Sequence, residues 1–234
     1  MANNKVQYAR EVTFSAAIRI CHWLRVVSIG TLAITGFYIS WPFLVSLGSS
    51  DLLVQGWVRF VHQVFGFILV SITMIRTYLF FFSRNDIERR SFFDLFKIKA
   101  WISVIKAYTY QGPKEKNGAY NVLQFVTYFF LTLLIILMCI TGLILYANVY
   151  HDNLGGLIAP AANWVLSLLA DVGGLAFIRT LHHELTWVFL VFIIVHIYMV
   201  IFTAVRFKVS AIDPMISGVD YYHPDHHEHG DFNK

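Results

Sequence analysis

The chain alternates between long apolar runs and short polar connections, and the runs set its architecture. Four stretches, about 14–40, 57–82, 122–148 and 178–206, stay apolar over lengths that cross a bilayer as helices. The expected fold is an all-α membrane protein, a four-transmembrane-helix bundle filling 1–234 as a single domain. Two shorter patterns lie between the runs. In the connection 84–119, Phe92-Phe93-Asp94-Leu95-Phe96 and Trp101 to Tyr108 repeat apolar residues at three- and four-residue intervals among basic ones, which predicts a helix lying in the headgroup region. Leu157 to Ala170 is apolar but too short to span, and reads as a surface helix or docking platform. Met1 to Glu11 reads as a polar tail, and His223-Pro224-Asp225-His226-His227-Glu228-His229 as a solvated end with adventitious metal binding.

Composition places the chain in the lipid bilayer. Hydrophobic residues make up 57% of it and charged ones 14%, far from the balance of a soluble domain. The net charge of +4 is no argument for nucleic acid, because the basic residues have a topological use. Lys5, Arg10, Arg19 and Arg25 cluster at the N-terminal end, and Arg84, Arg89, Arg90, Lys97, Lys99, Lys106, Lys114 and Lys116 in 84–119. The connections 41–56 and 149–177 contain neither lysine nor arginine. The positive-inside rule then puts both termini and 84–119 in the cytoplasm of a bacterial inner membrane, with 41–56 and 149–177 outside. A cleavable N-terminal signal is not expected, since the first run is span-length and lacks a small-residue cleavage site. Cys21 and Cys139 both fall in apolar runs, so no disulfide framework is implied, and the absence of C-x-x-C-H speaks against covalent haem.

Histidine carries the chemistry. From Leu185 to Val205 there is no Asp, Glu, Lys or Arg and the single histidine is His196, and an imidazole at that depth asks for a function. His182 stands fourteen residues earlier. At about 100° per residue the two share one face, and a rise of about 1.5 Å per residue separates them by about 21 Å. That spacing suits two haems at two levels of a bilayer. His62 lies near the outer start of the second run and His22 near the cytoplasmic start of the first. Depth pairs His62 with His182 on an outer haem iron, and His22 with His196 on a cytoplasmic one. Two axial imidazoles leave iron no open position, so the expected activity is electron transfer through two haems b. His183 competes with His182, but thirteen residues from His196 it falls about 140° round the helix and reads as a hydrogen-bonding neighbour. A zinc site is not expected, because the two pairs lie about 20 Å apart.

Three of the histidines share a pattern: Arg19-x-x-His22, Arg59-x-x-His62 and Arg179-x-x-His182. Each arginine sits one turn closer to the membrane surface, where it is a candidate haem-propionate partner or a side chain that snorkels to water. Gly36 and Gly66 are candidate points for a flat macrocycle to approach the backbone, or ordinary helix-packing glycines.

These residues carry a resemblance. Arg19-Ile20-Cys21-His22-Trp23-Leu24, followed by Ser28-Ile29, Leu32 and Thr35-Gly36, resembles the first signature of the b-type cytochrome subunit of membrane-bound, quinone-reactive nickel–iron hydrogenases. Arg179-Thr180-Leu181-His182-His183, with Trp187, Phe192 and His196, resembles the second. Arg59-Phe60-Val61-His62, Arg76-x-Tyr78 and Ser217-Gly218 fit as well, so the likeness covers nearly the whole chain. It implies a membrane anchor and electron carrier. A large nickel–iron subunit would oxidise hydrogen outside, and a small iron–sulfur subunit would pass electrons to the outer haem. The cytoplasmic haem would then reduce a membrane quinone. The related membrane subunit of respiratory formate dehydrogenase shares the di-haem core, and Tyr120-Asn121-Val122-Leu123-Gln124 is similar to its quinone-site stretch. Asn121 and Gln124 are thus quinone candidates, or helix caps. Many hydrogenase cytochromes have Gly-His-Asn here. This chain has Gly118-Ala119-Tyr120-Asn121, which leaves the proton donor to quinone unassigned. The rival readings are the same carrier serving a formate dehydrogenase-type complex and, from the histidine-rich tail, a metal transporter.

Overall fold

The computed structural model describes residues 9–42, 51–82, 92–112, 121–207, 210 and 212–222. The histidine-rich tail, Gly118 to Tyr120 and the basic residues Lys5, Arg84, Arg89, Arg90, Lys114 and Lys116 lie outside the described residues. Among the described residues, four helices are long and apolar enough to cross a membrane: α1 (Ala16–Ser40), α2 (Asp51–Phe82), α4 (Val122–Ala147) and α6 (Gly174–Phe207). The protein is an integral membrane helical bundle.

Local chemistry sets the helix ends. The Ser15 hydroxyl accepts from the Ile18 N–H to start α1, and α1 closes at Trp41 ahead of Pro42, which has no N–H to continue the ladder. At α4, Asn121 Oδ1 accepts from Gln124 N–H at 2.8 Å while Gln124 Oε1 accepts from Asn121 N–H at 3.1 Å, a reciprocal capping box. α2 and α6 begin earlier than hydropathy suggests, at Asp51 and Gly174. At about 1.5 Å per residue the 34 residues of α6 run about 51 Å, well beyond a hydrocarbon core of about 30 Å. Both helices therefore project past the apolar zone or tilt within it.

Backbone packing runs α1 on α2, α2 on α4 and α4 on α6. α6 thus stands off from α1 and α2 at the backbone level, although side chains on those helices face it. α5 (Asn153–Leu168) lies against α4 and α6, where Ala162 joins Ile144, Ala147 and Ile178 in a buried cluster. It is the short helix expected between the third and fourth spans. α3 (Ile98–Tyr108) is the amphipathic helix expected in 84–119. Ala100, Val104 and Ala107 are buried, while Ile98, Ile102 and Ile105 are exposed, a geometry suited to an interfacial helix. Exposed Trp41, Trp57 and Trp164 gather where α1 ends, α2 begins and α5 lies, as an aromatic belt does at a membrane surface.

The N-terminal segment is more than a tail. Ala9–Val12 forms β1, which pairs antiparallel with β2 (Val219–Tyr222), joining Val12 to Val219 and Ala9 to Tyr222. Between them, α7 (Asp213–Ile216) is capped by Ser217 and followed by Gly218, whose φ of +83° turns the chain back. The Gly218 carbonyl accepts from Thr13 N–H at 2.9 Å, and a Cβ at Gly218 would stand 2.7 Å from the Phe14 carbonyl oxygen. Both ends of the described chain are therefore clasped together at the end of the bundle where α1 starts and α6 finishes.

Candidate functional site

The four histidines singled out by depth and spacing meet in two pairs. At the clasped end, the ring centroids of His22 on α1 and His196 on α6 lie 6.4 Å apart. At the opposite end, those of His62 on α2 and His182 on α6 are also 6.4 Å apart. Two imidazoles bonded at about 2 Å on opposite sides of one metal, each nitrogen about 1.1 Å from its ring centroid, have centroids about 6.3 Å apart. Each pair thus has the separation that one iron held between its two imidazoles would require.

Each pair is supported differently. His62 Nδ1 lies 2.8 Å from Thr35 Oγ1 on α1, and His182 Nδ1 lies 2.8 Å from Thr141 Oγ1 on α4. A glycine follows each threonine. A Cβ at Gly36 would come within 3.3 Å of His62 Cε1, and one at Gly142 within 3.3 Å of His182 Cε1. Gly36 thus makes room for an imidazole rather than directly for a macrocycle, whereas a Cβ at Gly66 would meet nothing within 4 Å. At the clasped end, Trp23 meets the His22 ring edge-on at 5.4 Å and Phe192 stacks on His196 at 5.7 Å. The guanidinium groups of Arg25 and Arg76 lie within electrostatic reach of His22. His183 faces elsewhere. Trp187 Nε1–H donates to its Nε2 at 3.3 Å, Ser40 Oγ lies 3.4 Å from its Nδ1, and Phe37 packs on its ring.

Between the two levels the interior is apolar. Ile29, Leu69 and Phe189 each stand seven residues, two helical turns, inward of His22, His62 and His182, and Phe189 is also seven residues before His196. All three belong to one core cluster with Ile135, Leu185, Met138 and Cys139. The periodicity that aligns the ligands on α6 thus places Phe189 midway between them, 5% exposed.

The remaining candidates divide by surroundings. Arg59 and Arg179 are exposed one turn from His62 and His182. Arg19 is engaged by the clasp, its Nη1 donating to the Ile216 carbonyl, while Trp23 Nε1–H donates to the Met215 carbonyl at 3.0 Å. Asn121 and Gln124 form the cap of α4, and Asn121 Nδ2–H also donates to Tyr108 Oη at 3.2 Å. Gln124 uses Oε1 in the cap, and among the described residues its amide N–H groups make no hydrogen bond. The Tyr108 ring lies 6.0 Å from Phe202, joining α3 and the start of α4 to α6 six residues beyond His196. Sequence reasoning missed Thr141 and Gly142 altogether and gave Thr35, Arg25 and Arg76 no role at the histidines. The repeated Thr-Gly dipeptide was the available signal.

A family model described as prokaryotic cytochrome b561 matches residues 13–218. A probable Ni/Fe-hydrogenase B-type cytochrome subunit of Rhizobium leguminosarum bv. viciae is 32% identical over 217 residues, covering 88% of this chain and 86% of that protein. The subunit of the same description from Rhodobacter capsulatus is 28% identical over 212 residues, covering 88% and 79%. The probable Ni/Fe-hydrogenase 1 B-type cytochrome subunit of Escherichia coli (strain K12) is 25% identical over 211 residues, covering 88% of each. The match spans every helix that contributes a histidine to either pair, and the chain belongs to the prokaryotic cytochrome b561 family.

Proposed function

We propose that this cytochrome is the di-haem membrane subunit of a nickel–iron hydrogenase complex. It takes electrons from an iron–sulfur small subunit, itself fed by a nickel–iron large subunit at the outer face, and delivers them across the inner membrane to quinone. The observation that carries the reading is the pair of imidazole pairs, each at a 6.4 Å ring separation and about 21 Å apart along α6. The relatives, themselves probable Ni/Fe-hydrogenase B-type cytochrome subunits, support the hydrogenase assignment. A haem iron held by two histidines supplies reversible one-electron chemistry with no open coordination position.

The side chains divide that work. His62 and His182 hold the outer haem, and His22 and His196 the cytoplasmic one. Arg59 and Arg179, exposed one turn before their histidines, would offer guanidinium groups to that haem's propionates. At the inner haem Arg25 and Arg76 supply positive charge beside His22, with Arg19 at the surface turn. The apolar layer around Phe189 keeps water from the path between the two levels. Quinone is reduced near the cytoplasmic end of α4, where Gln124 offers its amide N–H groups and Asn121 holds Tyr108 in place. The basic connection 84–119 keeps this end, with both termini, in the cytoplasm.

The test is His196→Ala in the purified complex. The inner haem and hydrogen-dependent quinone reduction are lost, while hydrogen oxidation with an artificial dye persists. Loss of the dye reaction as well, or persistence of quinone reduction, contradicts this layout. Copurification of nickel–iron subunits, rather than those of a formate dehydrogenase, distinguishes the nearest alternative.

A further inference from the structure

The two outer histidines are each gripped from behind by a Thr-Gly dipeptide on a different helix. Thr35-Gly36 of α1 holds His62, and Thr141-Gly142 of α4 holds His182, with the same 2.8 Å contact from Oγ1 to Nδ1. Each threonine also reaches back to its own helix. Thr35 Oγ1 lies 2.7 Å from the Thr31 carbonyl oxygen, and Thr141 Oγ1 lies 3.0 Å from that of Leu137. A hydroxyl has one proton and a carbonyl can only accept. The O–H therefore goes to the carbonyl, and the imidazole N–H donates to the hydroxyl oxygen. Nδ1 carries the proton in both rings, and Nε2 is left as the bare lone pair. The glycines let the rings seat, since a Cβ at either would crowd Cε1 at 3.3 Å. At the other level, neither His22 nor His196 makes a ring-nitrogen hydrogen bond among the described residues, and aromatic neighbours do the holding.

Resting on the assignment of His62 and His182 as an axial pair, we infer that Thr35 and Thr141 are positioning residues that select the outer haem's potential. An N–H donated to oxygen enriches the lone pair on the opposite nitrogen, making the imidazole a stronger donor to iron. Stronger donation favours ferric over ferrous iron, so the two hydroxyls lower the reduction potential of the outer haem and leave the inner one alone.

The experiment is a potentiometric titration of purified complex carrying Thr35→Val, Thr141→Val, or the corresponding Ser substitutions, followed by haem absorbance. Each valine variant keeps two haems and moves one midpoint upward by about tenfold in the ferric–ferrous equilibrium, about 59 mV for one electron. The second midpoint stays put, and serine restores the first. Should a valine variant shed the outer haem, retention by its serine counterpart supports the same hydroxyl role. Unmoved midpoints with both haems present overturn the inference, as does an equal shift or equal haem loss in the serine variants. A His62→Ala protein that keeps both haems removes the axial pair itself, a failure read from haem content and distinct from unmoved potentials.

Discussion

His182 and His183 are adjacent in sequence and meet different neighbours. His182 turns to His62 and Thr141, while both ring nitrogens of His183 are engaged by Trp187 and Ser40 at longer range. The 100° step of the helix separates them, which is why spacing from His196 alone favours His182. Replacing His183 with Ala is expected to leave both haem spectra intact, whereas His182→Ala removes the outer haem. Absorbance of the two purified variants reads this directly, and the opposite result would assign the outer ligand to His183. The arginine pattern three residues before His22, His62 and His182 was equally visible in the sequence but does not behave alike at all three places. Arg19 is drawn off by the Ile216 carbonyl, a partner almost two hundred positions away that no local pattern announces. Thr141-Gly142 was hidden for a related reason. Its own helix carries no Asp, Glu, Lys, Arg or His to draw attention to it, and its meaning appears only when α4 is laid against His182.

Among the elements, α6 has the most demanding role because it serves both levels. Its seven-residue repeat sets Phe189 two helical turns from both His182 and His196, inside the central apolar cluster. In a bilayer, lipid tails are as apolar as phenylalanine, so such a residue stabilises by packing rather than by escape from water. Phe189→Ala leaves a cavity in the central layer, with an expected loss of about 3 kcal/mol. With Phe189 two helical turns from each of His182 and His196, thermal release of the two proposed haems is expected to shift to lower temperature together when Soret absorbance is followed on heating. Release of one haem alone would place Phe189 outside the shared layer. The spans were legible from hydropathy, and the amphipathic α3 from its three- and four-residue spacing. The early starts of α2 and α6 were not, because Gln55-Gly56 interrupts the apolar run after Asp51, and Arg179 with His182 and His183 interrupts the one after Gly174, so each span reads as beginning later than its helix does.

Taken whole, the molecule is a bundle in which three helices supply histidines and the fourth, α4, braces one of them. The clasp of β1 with β2 ties residues 9–12 to 219–222 beneath the His22–His196 level and holds the start of α1 through Arg19 and Trp23. It escaped sequence reading because each strand has only four residues and the partners are remote in the chain. Read as isolated segments they are merely polar ends, and the turn at Gly218 gains sense only once Thr13 and Phe14 are found against it. By contrast, the pairing of histidines by depth needed only span order and direction, which hydropathy and basic residues provide. The most direct measurement of that pairing is a pyridine haemochrome count of haem b per chain in the purified protein and in His22→Ala and His62→Ala variants. The expected result is two haems in the parent and one in each variant, with different residual spectra; a parent without protoporphyrin, or variants that both keep two, would contradict it.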